Sequence, residues 1–154
     1  MLPASGSWGN IGDTSGGTTM AYFVGAILAL VVFAITAILG FGRDRSFYPT
    51  ILIVVASFYV LFAVMGGSGR PLVIELSVAV GFLLIAVIGF KTNLWLFAAA
   101  IAGHGLFDFV HNLFIQNPGM PLWWPAFCGS FDVVFGAAVA IRLMRDSRPS
   151  RLPA

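Results

Sequence analysis

The chain has 154 residues, of which 59% are hydrophobic and 9% charged, with a net charge of +2. Soluble domains carry about 25% charged residues, so with a mean hydropathy of +0.97 almost nothing is left over for a water-soluble domain. The small net charge, with no basic patch interleaved with aromatics, excludes nucleic acid as a partner, and the single cysteine, Cys128, excludes an intrachain disulfide and any CxxC redox or zinc motif.

Residues 1–19 are rich in Gly, Ser and Thr and hold no Lys or Arg. A signal peptide needs a positive n-region, so this stretch reads as a disordered tail and the first apolar run as an uncleaved anchor. Five runs, 20–40, 47–65, 72–90, 94–115 and 126–144, approach or exceed the roughly 20 residues that span a bilayer. The first carries Gly25, Ala29 and Thr36 near one face, a small-residue pattern that lets helices approach closely, within the bundle or in a homo-oligomer. Residues 41–46 form a turn with Arg43, Asp44 and Arg45, and the second run follows with Pro49 in its first turn, where proline is tolerated. The stretch Gly66-Gly67-Ser68-Gly69-Arg70-Pro71 breaks the chain before the third run, whose only charge is Glu75. Lys91-Thr92-Asn93 turns into the fourth run, which holds both histidines of the protein. The loop 116–125 has three prolines and the adjacent Trp123 and Trp124, a pair suited to an interfacial belt or to a lip over a polar site. The fifth run contains Cys128 and Asp132, and a basic tail, 145–154, ends the chain.

Five spans alternate sides. Arg43, Arg45, Lys91, Arg142, Arg145, Arg148 and Arg151 then share one side and Arg70 alone lies on the other, which makes the majority side cytoplasmic. The expected fold is an all-α membrane protein, a bundle of five transmembrane helices with the N-terminus outside and the C-terminus cytoplasmic.

In the fourth run, His104, Asp108 and His111 are spaced i, i+4, i+7, within an arc of about 60° on one helical face. Counting turns from the outer ends of the runs puts Glu75 and His111 about one turn deep, Asp108 and Asp132 about two, and His104 about three. Three of the six acidic residues and both histidines thus converge in the outer half of the membrane. An Asp at a helix centre costs roughly 2.5–3.5 kcal/mol on insertion scales, so such residues are functional candidates by default. Bound cations or protons offset the cost, and two imidazoles with three carboxylates suit a divalent metal, Zn, Fe or Mn. Ligands repeated along one helix and completed by its neighbours are the way metal sites in helix bundles are built.

Each group also has a plainer reading. Glu75 can snorkel to the interface or pair with Arg70. The stripe can be a hydrogen-bonded core that fixes helix packing. Cys128, one turn from Asp132 on the same face, reads as a small apolar filler, Ser57 and Tyr59 as packing residues, and Asn112 as bonding backbone or solvent near the helix end. Lys91 lies in a turn, which leaves no lysine within a span for a retinal Schiff base, and two histidines on one helix cannot ligate a haem from both sides except across a dimer.

The segment His104-x3-Asp108-x2-His111, followed by Trp124-Pro125, Phe127-Cys128 and Asp132, resembles a family of uncharacterised small bacterial multi-pass membrane proteins. The resemblance is best over 100–135, weaker over 47–99 and absent from the N-terminal tail. This chain has Asn112 where that pattern has a second histidine. The resemblance implies the multi-pass fold and a candidate polar site, but no reaction; the expected location is the bacterial inner (plasma) membrane.

Two functions fit the residues. The first is a small membrane enzyme in which a divalent metal activates water or oxygen against a lipid-like substrate entering from the bilayer. His104, Asp108 and His111 are then ligands, Glu75 and Asp132 complete the site, and Asp108 and Asp132 are the candidate catalytic carboxylates. The second is a non-enzymatic binding or accessory subunit, whose polar cluster packs helices, relays protons or holds a partner protein's cofactor. Membrane lipids are the expected surroundings in both.

Overall fold

The computed structural model describes residues 14–44 and 46–147. Five helices account for nearly all of them: α1 (Thr14–Leu39), α2 (Phe47–Met65), α3 (Gly69–Lys91), α4 (Leu94–Phe114) and α5 (Trp124–Asp146). A 3₁₀ turn, Phe41–Arg43, links the first two, and there is no strand among the described residues. Each of the five is long and apolar enough to cross a membrane. Of the tail expected over 1–19, residues 1–13 lie outside the described part and 14–19 are the opening turns of α1. Of the C-terminal tail, 148–154 lie outside it as well.

Local chemistry sets the helix ends. Gly40, at φ +76°, ends α1, and Gly67, at φ +62°, follows α2; both sit in the left-handed region that glycine enters without steric cost. Asn93 caps α4, its side chain accepting from the Leu96 N–H at 3.1 Å. The helix α3 starts ahead of the apolar run because Arg70 and Pro71 fill its first turn, and α5 likewise takes in Trp124 and Pro125. First-turn N–H groups have no helical partner, so proline costs nothing there.

Helix α4 is central. It packs against α5, α3 and α2, while α5 also packs against α1, and α2 against α3. The small-residue stripe of α1 faces α5: Ala29 and Thr36 are buried, and a Cβ at Gly25 would collide with the Phe127 carbonyl and the Ser130 hydroxyl. The stripe therefore serves a contact within the chain. Most of α1's other side chains, among them Phe23, Ile27 and Ile38, are exposed as a lipid-facing surface requires.

Close approach of α4 and α5 runs through glycine. A Cβ on Gly105 would lie 2.7 Å from the Gly129 carbonyl and 2.8 Å from Asp132 Cβ, and one on Gly136 would lie 2.9 Å from Ile101 Cγ2. At the end of the bundle that carries the α4–α5 loop, Tyr59, Phe62 and Met120 form a small second core beside Phe58 and Trp124. The loop is seated there by Gly119, against the Phe62 carbonyl and the Gly66 N–H.

Candidate functional site

The helical spacing puts His104, Asp108 and His111 on the buried face of α4, and all three are at most 1% exposed. Opposite them α5 contributes Cys128 and Asp132, α3 contributes Glu75 and α2 contributes Tyr59, all buried. The glycine-lined crossing of α4 and α5 is what lets His104 reach across: its Nδ1–H donates to Asp132 Oδ2 at 2.7 Å, with Asp108 Oδ2 at 3.6 Å. The Cys128 thiol lies 3.9 Å from Asp132 Oδ2. One ligand atom from each of His104, Asp108, Cys128 and Asp132 falls within 4.8 Å of all the others, and these four can hold a metal ion. Around a tetrahedral ion with bonds of about 2.0–2.3 Å the ligand atoms stand roughly 3.3–3.8 Å apart, so closing this group on one ion takes an inward shift of about 1 Å.

The oxygens of this group are under-used. Both Asp108 oxygens, Asp132 Oδ1 and the Tyr59 hydroxyl are buried and make no hydrogen bond of good geometry, although the Tyr59 hydroxyl and the Cys128 thiol stand near enough to the Asp108 carboxyl to act on it. A buried unsatisfied polar atom costs about 1–3 kcal/mol, and more when charged. Three carboxylate oxygens in that condition, beside an imidazole and a thiol, are the donor set that a cation would satisfy. Mixed nitrogen, oxygen and sulfur donors are a set that several divalent transition-metal ions accept.

A second group is closed on itself. His111 Nε2–H donates to Glu75 Oε1 at 2.8 Å, and the Asn117 amide donates to the same oxygen at 2.9 Å and to the Tyr59 carbonyl at 3.1 Å. The Tyr59 ring stands between the groups, stacked on His111 at 4.4 Å and 6.0 Å from the His104 ring. Asn117 also lines an outward cavity of about 650 Å³ with Asn112, Gln116 and Ser68.

The five residues expected to share one layer are thus divided. His104, Asp108 and Asp132 come together, whereas Glu75 and His111 pair with each other outside the four-residue ligand group. Glu75 neither snorkels nor pairs with Arg70: it is 1% exposed and its partners are His111 and Asn117. Cys128, read from sequence as filler, is a member of the ligand group; its position four residues before Asp132 on one helical face was the signal. Asn117 was missed, because nothing in a proline-rich loop marks the residue that folds back onto α3. Asn112 is exposed and only its Oδ1, 3.4 Å from His111 Nδ1, turns toward the second group, so the absent second histidine of the resembled pattern removes no member of the four. Ser57 is exposed and bonds the Val54 carbonyl. Of the tryptophan pair, Trp123 is exposed, but Trp124 packs against Phe58 and Phe62 inside the bundle.

In comparisons with known proteins the chain matches no family model, no curated protein and no solved structure.

Proposed function

We propose that this protein is an intramembrane metalloprotein whose His104, Asp108, Cys128 and Asp132 hold one divalent transition-metal ion, zinc, iron or manganese, and that the centre serves a membrane enzyme acting on a lipid-like substrate. The observation that carries this is the convergence of three buried carboxylate oxygens that make no hydrogen bond of good geometry on the same imidazole and thiol. An ion of this kind activates water and polarises a carbonyl or phosphoryl oxygen. Asp108, whose oxygens make no hydrogen bond of good geometry, is the first-choice ligand, and the His104–Asp132 contact at 2.7 Å ties the α4 and α5 sides of the site together. Glu75 and His111 stand beside the centre and hold the α4–α5 loop to α3 through Asn117. The reading includes an inner-membrane location with the N-terminus outside and the C-terminus cytoplasmic, supported by the one-sided distribution of basic residues.

The test is elemental analysis of detergent-purified protein beside His104→Ala and Asp108→Asn. One equivalent of metal in the native protein, falling at least fivefold in both variants while a His111→Gln control keeps it, is the expected result. Sub-stoichiometric metal that is the same in all four proteins would overturn the reading.

A second, non-enzymatic reading has its own support. The Asn117–Glu75–His111 chain satisfies its polar atoms internally, as polar glue between membrane helices does. Its contact with the outward cavity at Asn117 also suits a proton relay.

A further inference from the structure

Helices α1 and α2 are joined by a short turn, yet they part company: α1 packs against α5, and α2 against α3 and α4. Between them, over the face of α5, runs a gap of about 500 Å³. Leu28 and Val32 of α1, Val54 and Val55 of α2, and Cys128 and Phe131 of α5 are among its walls. The floor (Val55, Cys128 and Phe131) is buried, whereas Leu28 and Val54 at the rim are 40% and 45% exposed. All three walls are helices long and apolar enough to span a membrane, so in a bilayer the rim opens sideways into the hydrocarbon layer. The walls offer no polar side-chain group beyond the Trp124 indole and the Cys128 thiol, and a polar guest would lose its hydrogen bonds on entering. One member of the ligand group, Cys128, is also part of the gap floor.

We infer that this gap takes one hydrocarbon chain of a membrane amphiphile, admitted between α1 and α2 and laid along α5 so that it reaches the Cys128 side of the metal group. The substrate class is thereby an apolar-chain lipid, recognised by its chain. The binding of the chain stands on the gap alone; its delivery to a reactive centre rests on the metalloprotein reading above. By contrast, the outward cavity is lined by Asn112, Gln116 and Asn117 and suits water or a polar headgroup. An apolar hollow between α4 and α5, lined by Trp95, Ala98, Val133 and Gly136, shares no residue with the ligand group.

The experiment is photolabelling in phosphatidylcholine nanodiscs with a fatty acid that carries a diazirine near the end of its chain, read by peptide mass spectrometry. Labelling should concentrate on the peptides bearing Val32, Val55 and Phe131. Val54→Trp, at the exposed rim, should lower it at least fivefold without disturbing the core, and should keep the native metal content. Labelling spread evenly over the outer faces of α1 and α3, or unchanged by Val54→Trp, would overturn the inference. His104→Ala separates the two readings: gap-specific labelling that persists there supports chain binding whatever becomes of the metal.

Discussion

At the scale of single residues, the two buried polar groups respond differently to substitution because one is satisfied and the other is not. Glu75→Ala strands the His111 and Asn117 donors that now share one oxygen, and each buried donor left unsatisfied costs about 1–3 kcal/mol. Denaturant unfolding in detergent should show that loss, with metal content retained in the fraction still folded; a change below about 1 kcal/mol would refute this role for Glu75. Outside the spans, Asp44 accepts from the Ser46 N–H at 2.9 Å and from its hydroxyl at 2.8 Å, and these bonds hold its carboxyl below the usual 3.8. A depressed carboxylate stabilises the folded turn above its unfolded pKa, and this contribution disappears as pH falls through the lower, folded value. An NMR titration should find Asp44 below 3.8, and Ser46→Ala, which removes the hydroxyl bond and keeps the backbone one, should raise it part of the way; an Asp44 that titrates identically in both would contradict the hydroxyl bond. What the sequence revealed at this scale was a matter of register. Helical period and depth marked His104, Asp108 and Asp132 as neighbours, and one more turn of the same reasoning reaches Cys128. It could not assign Glu75 to His111 rather than to the common group, because that pairing depends on how α3 leans against α4. It could not reach Asn117 at all, since a loop has no period from which to infer a direction.

Among the elements, α4 and α5 fix the site through the glycines at their crossing. Gly105→Ala pushes a methyl group into the Gly129 carbonyl and Asp132 Cβ, and overpacking of this kind costs about 1–3 kcal/mol. The variant should unfold earlier on heating in detergent and lose metal as His104 draws away from Asp132. Gly103→Ala is the control of opposite sign, because that glycine has open space around it and alanine favours the helix by up to about 1 kcal/mol. Equal melting temperatures for the two variants would show that the crossing tolerates a wider spacing. The spans themselves were legible from apolar length, the breaker at Gly66–Gly67 from its glycines, and the turn at Lys91–Asn93 from the gap between two apolar runs. The packing order was not. All five runs are apolar on most sides, so amphipathic contrast, which tells a soluble helix which face to bury, is nearly absent here. The small-residue stripe of α1 announced a close contact, and only the folded chain shows that its partner is α5.

For the molecule as a whole, orientation is the property that decides what the site can meet. Seven of eight basic residues fall on the side of the α1–α2 turn, the α3–α4 turn and the C-terminus, and this asymmetry predicts that side to be cytoplasmic. A phosphatase reporter that works only outside the cytoplasm should be silent at the C-terminus and active when inserted at Ser68 in the α2–α3 turn; the reverse pattern would invert the topology and, with it, the side from which the outward cavity is filled. Water and hydrocarbon then approach from different directions, the one over Asn117 and the other between α1 and α2. The chain's one cysteine stands where the lateral gap and the ligand group meet. A thiol bound to a metal is deprotonated, and a sulfur–cobalt bond absorbs light where the protein does not. Cobalt-loaded protein would therefore carry its own chromophore: occupancy of the centre and the arrival of a chain against the same sulfur would both register in one absorption band, with no label attached.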